Sequence, residues 1–219
     1  MKKLVVIGNG PYSEMMHKYA ELTEFGQVVA YAVDEQYIQA HEINGKPVIA
    51  LQALEAVYSC KDIMLLMGIG YKNMGEIRAQ VFQKCKNMGF RFINYIHPTA
   101  IISKDVVMGE GNNILEGVIL EAGVRIGDAN LLFGGSMIAH DTVIGSFNTL
   151  SVKAVAAGCA VIGSHCFLGA SSVVRDHVVF QDYVLLGASA YGFKSMEKYA
   201  VVEPARSVIV QNKKSIDFL

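Results

Sequence analysis

The chain has 219 residues, just over half of them hydrophobic, and a net charge of −1 at pH 7. Its basic residues form no long run, which excludes an electrostatic nucleic-acid footprint, and no apolar stretch reaches the length of a membrane span. The length fits one large or two small domains.

In chain order, Lys3 to Ile7 reads as a buried first strand. Its charged start and apolar run are cut by Gly8-Asn9-Gly10 too early for a signal peptide. Pro11 suits the first turn of a helix whose apolar face is Met15, Met16, Tyr19 and Leu22. Val28 to Val33 reads as a second strand ending in Asp34-Glu35. Ile43 to Ile49 reads as a turn with a short extended piece, and Leu51 to Tyr58 as a helix. A third strand, Ile63 to Met67, closes at Gly68-Ile69-Gly70. Ile77, Val81, Phe82 and Cys85 mark another helical face, which Gly89 stops. Strand and helix alternate, so residues 1–95 are expected to form a small parallel, Rossmann-like α/β domain.

From Ile96 the pattern changes. Steps of six from Ile96 to Leu186 meet an apolar residue every time, and residues two places earlier are small or of moderate size. Gly109, Gly127, Gly145 and Gly163 recur every eighteen residues, as do Asn112, Asn130 and Asn148. This beat fits neither a 3.6-residue helix nor an alternating strand. It marks a β-helix of hexapeptide repeats. Three short strands complete one coil, so residues 96–219 are expected to hold about five coils, roughly 25 Å of prism, followed by a C-terminal tail. The period does not specify handedness. Cys60, Cys85, Cys159 and Cys166 form no CxxC pair and read as reduced packing cysteines of a cytoplasmic protein, the last two filling repeat positions that want small residues.

Ligands of a parallel sheet collect at the carboxyl ends of its strands. Three loops qualify: Gly8, Gly10, Pro11 and Tyr12; Asp34 with Glu35; and Gly68 with Gly70. Glycines let a phosphate approach the backbone, and the helix beginning near Ser13 offers amides to it. The dinucleotide fingerprint nevertheless fails at Ser13. A short glycine turn serves packing about as often as phosphate, and Asp34 and Glu35 read equally as solvated strand ends. Together the loops favour a nucleotide.

The chain resembles the sugar acyltransferases that include sialic acid O-acetyltransferase and the bacillosamine-pathway N-acetyltransferase. The resemblance lies in Val5-Val6-Ile7-Gly8-Asn9-Gly10, Tyr31-Ala32-Val33-Asp34-Glu35, Ile96-His97-Pro98-Thr99-Ala100, Ile138-Ala139-His140-Asp141, Phe167-Leu168-Gly169-Ala170 and Pro204-Ala205-Arg206. It implies a left-handed β-helix, a homotrimer, acetyl-CoA between neighbouring prisms and a nucleotide-linked sugar held by the first domain. It also implies that His140 is the general base of acetyl transfer, tuned by Asp141, and that acetyl-CoA meets Thr149, Gly158, Ala170 and Ala188. The family often has a second histidine at the position of Thr149 and Gly-His at Pro11-Tyr12.

The expected activity is N-acetylation of a nucleotide-linked amino-dideoxy sugar at its 4-amino group, in surface polysaccharide synthesis. O-acetylation by the same family and a non-catalytic trimerising scaffold are the alternatives. The residues themselves allow the chemistry. His140 follows Ile138 by two places, at a corner outside the packed prism, and an imidazole titrates near neutral pH. His17 and His41 read as surface residues. No histidine pair five residues apart is present, so no metal cofactor is expected.

Overall fold

The computed structural model describes residues 2–206. The expected tail beyond Arg206 lies outside the described residues. The chain forms an α/β domain followed by a left-handed parallel β-helix.

The first domain runs β1 (Lys3–Ile7), α1 (Pro11–Leu22), β2 (Gln27–Val33), β3 (Glu42–Ile43), β4 (Lys46–Ala50), α2 (Leu54–Val57), β5 (Met64–Met67) and α3 (Glu76–Asn87). The sheet order is β3-β4-β2-β1-β5. It is parallel except at one edge, where β3 pairs antiparallel with β4. The expectation of a wholly parallel sheet is corrected there. Asn44 and Gly45 take left-handed φ angles of 48° and 69°, the pair of conformations that closes a tight hairpin. A second correction concerns His17. It is only 2% exposed, because α1 buries Ser13, Met16, His17 and Ala20 on one face. Its Nδ1 lies 2.6 Å from the Tyr31 hydroxyl.

The prism is built of two-residue strands arranged in three parallel sheets. The eighteen-residue register is direct: Ile102, Leu120, Ile138, Ala156 and Val174 lie one above another on one face. From Ile114 onward the apolar residues of the beat are almost wholly buried, whereas Ile96 is exposed and Ile102 and Met108 are half-buried. The first coil has a neighbour on one side only, so stacking cannot cover it from both.

The two slower beats have physical causes. The asparagines form a ladder: Asn94 Oδ1 accepts from the Asn112 amide, Asn112 Oδ1 from Asn130, Asn130 Oδ1 from Asn148, and Asn148 Oδ1 from Cys166, all at 2.7–2.9 Å. Each side chain satisfies a corner amide in the next coil, where no water can reach it. The glycines stand beside a second ladder. A Cβ at Gly109, Gly127, Gly145 or Gly163 would lie 2.1–2.6 Å from a side-chain oxygen of Asp128, Ser146, Ser164 or Asp182. Those oxygens accept backbone amides from the preceding coil. Asn130→Ala is therefore expected to cost about 1–3 kcal/mol, since it orphans the buried Asn148 amide. Urea denaturation measures it, and an unchanged midpoint would show that the ladder is dispensable.

One prism face carries the first domain. Asn113, Leu131, Thr149 and Phe167 point outward from its successive strands. Asn113 Nδ2 donates to Met67 O and to the Tyr12 hydroxyl, and the ring of Phe167 packs on Tyr71. The corner opposite that face carries His140.

Candidate active site

The carboxyl ends of β1, β2 and β5 open into a cavity of about 630 Å³. Gly8, Gly10, Pro11, Tyr12, Asp34, Gly68 and Gly70 all line it, joined by Tyr37, Gln39, Tyr71 and Lys72. Glu35 does not. It begins a short 3-10 turn, where its amide donates to Gln52 Oε1. Three of these glycines, Gly8, Gly68 and Gly10, differ in what surrounds them. Gly8 has a φ of 114°, and a Cβ there would lie 3.0 Å from Gly68 O. A Cβ at Gly68 would lie 2.7 Å from Ile7 O and 2.8 Å from Ser13 Cβ. These two let β1, β5 and α1 meet. Gly10 faces open space.

The helix start differs from the expected cluster of free amides. Ser13 and Glu14 both donate to Gly10 O, and Pro11 has no N–H. The Tyr12 amide is the one left free in that turn among the described residues. Asp34 is held by Lys84 and by Gln52 Nε2, so its charge is neutralised and its position set. Tyr12 is half-buried, and desolvation of its hydroxyl raises the pKa well above the usual phenol range, while Asn113 and Arg78 oppose the shift.

Arg78 joins this cavity to the prism and was not anticipated. Asn73, Met74 and Gly75 take three consecutive left-handed conformations, φ 54°, 50° and 78°, and this turn drops α3 onto the prism face. The guanidinium is fully buried. It donates to Gly70 O at 2.7 Å, Ala129 O at 2.8 Å, and Phe147 O and Asn148 O at 2.6 and 3.1 Å. Burial lowers its pKa to about 10, and it remains cationic at neutral pH.

His140 and Asp141 stand at the far corner, 60% and 66% exposed. His140 Nδ1 is 3.1 Å from Asp141 Oδ2, and the His140 amide donates to Glu121 Oε2 at 2.8 Å. The carboxylate fixes Nδ1 as the protonated nitrogen and leaves Nε2 with its lone pair. Two glycines make room. A Cβ at Gly123 would lie 2.3 Å from Asp141 Oδ1, and one at Gly158 would lie 2.6 Å from His140 Nε2. Gly158→Ala must therefore swing the imidazole away. We expect it to lower kcat by about 10²-fold, the cost of a misplacement near 1 Å, with the fold intact. An effect confined to KM for acetyl-CoA would instead make Gly158 a binding contact only.

The anticipated acetyl-CoA contacts are not brought together within one chain. Gly158 lies beside His140, and Ala170 and Ala188 stack at another corner, where the Ser189 amide donates to Ala170 O. Thr149 is 3% exposed under the first domain, with its Oγ1 at 3.4 Å from Arg78 Nη2. Cys159 also departs from its reading as a packing residue. Cys166 is buried in the prism, but Cys159 is half-buried at the corner beside His140 and Asp141.

No family model and no curated protein matches the chain. Solved structures do. The acetyltransferase domain of PglB from Neisseria gonorrhoeae, in complex with acetyl coenzyme A, is 23% identical with a TM-score of 0.80, covering 91% of this chain and 95% of that one. PerB from Caulobacter crescentus, in complex with CoA and GDP-perosamine, is 24% identical with a TM-score of 0.81, covering 92% and 93%. WeeI from Acinetobacter baumannii is 17% identical with a TM-score of 0.79, covering 92% and 96%. This chain shares their fold. The likeness spans both the α/β domain and the prism.

Proposed function

We propose that the protein is an acetyl-CoA-dependent N-acetyltransferase that modifies the 4-amino group of a nucleotide-linked amino-dideoxy sugar. The observation that carries this reading is the cavity at the carboxyl end of the sheet, where seven of the eight residues anticipated for the nucleotide sugar converge. The likeness to chains solved with acetyl coenzyme A and with CoA plus GDP-perosamine supports the choice of substrates.

In this reaction the sugar amine attacks the thioester carbonyl. His140 Nε2 takes the amine proton, and Asp141 holds the imidazolium through Nδ1. General-base help of this kind typically contributes about 10² to 10⁴-fold. The coenzyme A thiolate leaves and is protonated. Positioning of the two substrates supplies the remainder.

The cavity and His140 lie on opposite sides of one prism, so the base must serve a cavity on a second copy. One further observation supports assembly as a homotrimer. The two prism faces free of the first domain carry mainly apolar outward columns, with Val107, Val143, Val161 and Val179 exposed on one, interrupted by Arg125, and Ile101 and Tyr191 exposed on the other. Exposed apolar side chains in such register suit a face that packs against another copy. Light scattering is expected to give three chains per particle; a monomer that is fully active would refute the shared site.

The test of function is release of coenzyme A thiol from acetyl-CoA with UDP-, dTDP- and GDP-linked 4-amino, 3-amino and non-amino sugars. Release with a 4-amino sugar, and the mass of the N-acetylated product, is the expected outcome. Release with a sugar bearing only hydroxyls would make the enzyme an O-acetyltransferase. If coenzyme A neither reacts nor stabilises the fold, the prism is a scaffold.

A further inference from the structure

The corner that carries His140 holds three different metal donors. One donor atom each from His140, Asp141 and Cys159 lies within 4.8 Å of the other two. The rungs are fixed by backbone bonds between coils: the Asp141 amide donates to Ala122 O and the Cys159 amide to His140 O, both at 2.9 Å. Asp141 and Cys159 have left-handed φ angles of 57° and 59°, which set them at the same place on successive coils. Gly123 and Gly158 leave the space beside the carboxylate and the imidazole free of any Cβ. The cluster is therefore solvent-facing and built on a rigid part of the fold.

We infer that this corner is a binding site for a thiophilic divalent cation of the zinc class, and that the cation acts as a reversible inhibitor. An imidazole nitrogen, a carboxylate oxygen and a thiolate are the donors zinc takes, with water as the fourth ligand. Magnesium and calcium prefer oxygen donors alone and are poor occupants. Binding releases the thiol proton. The cation occupies a nitrogen of His140 and an oxygen of Asp141, so the imidazole can no longer accept a proton. This inhibitory consequence rests on His140 being the base; the binding itself does not.

Cobalt(II) is the probe, added to the purified, reduced full-length protein in a non-chelating buffer. The expected result is a thiolate-to-cobalt charge-transfer band that saturates at one equivalent per chain and is displaced by zinc. Cys60→Ser, which removes an exposed thiol elsewhere, keeps the band. Cys159→Ser and Cys159→Ala lose it. Zinc is expected to inhibit acetyl transfer by the wild-type protein, with chelator restoring it. Cys159→Ser should match the wild-type rate without zinc and require at least about tenfold more zinc for the same inhibition, since even outer-shell partners cost that much affinity.

Absence of the band in the wild type, or an equal band in both Cys159 variants, overturns the site. The two readings separate through His140→Ala. If that variant is inactive while the wild type shows no band, the cation site fails alone. If the wild type shows the band but His140→Ala transfers acetyl at the normal rate, the site stands and the base assignment falls.

Discussion

Arg78→Lys is expected to lower stability by about 3–5 kcal/mol, since several buried carbonyls each lose about 1–3 kcal/mol when their donor goes. Arg78 spreads three nitrogens over Gly70 O, Ala129 O, Phe147 O and Asn148 O. A lysine presents its donors from a single nitrogen and cannot span that fork. The loss would be a large share of the roughly 5–15 kcal/mol that holds a domain folded. Denaturation should split into two steps, with the α/β domain melting away from a prism that retains its own ladders. Arg78→Met separates two causes. It removes the cost of burying a charge but leaves the carbonyls bare, so a Met variant as weak as the Lys variant assigns the loss to the acceptors. A single transition at the wild-type midpoint for Arg78→Lys would show that water replaces the guanidinium. Because Gly70 lines the cavity, the same variant should also raise KM for the sugar more than KM for acetyl-CoA.

This arginine shows where the sequence was legible and where it was not. The six-residue beat reads directly into structure, because each repeat meets the same packing condition and a single register follows from it. The eighteen-residue beats of Asn112, Asn130 and Asn148, and of Gly109, Gly127, Gly145 and Gly163, were visible. Their bonding partners lie in the preceding and following coils and were not. The cavity was legible because strand ends and glycine turns declare themselves locally. Glu35 fell outside it because the chain turns into a 3-10 helix immediately after Asp34.

Arg78 carried one signal. It shares a helical face with Phe82 and Cys85, all three buried, and a charge on an apolar stripe asks for acceptors from elsewhere. Cys159 carried another. Cys166 stands two places before the apolar Leu168, inside the prism, whereas Cys159 stands three places before Ile162, at the corner. The phase of the repeat distinguishes them, and composition does not. Thr149 lay beyond such reasoning, since its burial depends on which face receives the first domain.

His140→Ala is expected to reduce kcat/KM by about 10² to 10⁴-fold, the range that general-base help supplies. The fold should be untouched, because the side chain is 60% exposed at a corner and packs on glycine. His140→Asn is the sharper variant. It keeps a polar group of similar reach but cannot accept a proton and carry the resulting charge. Asp141→Asn should cost less than either, since it leaves Nε2 in place and weakens only the charge-assisted bond that steadies the imidazolium. That order, with the two His140 variants alike and Asp141→Asn intermediate, is what a base with an orienting partner requires. Added imidazole should restore part of the activity of His140→Ala and none of that of Gly158→Ala, where the ring is present but displaced. Acetyl transfer at the normal rate by a folded His140→Ala protein would mean that the amine arrives already deprotonated. The corner would then serve to position substrates, and its His140–Asp141–Cys159 cluster would be a metal site alone.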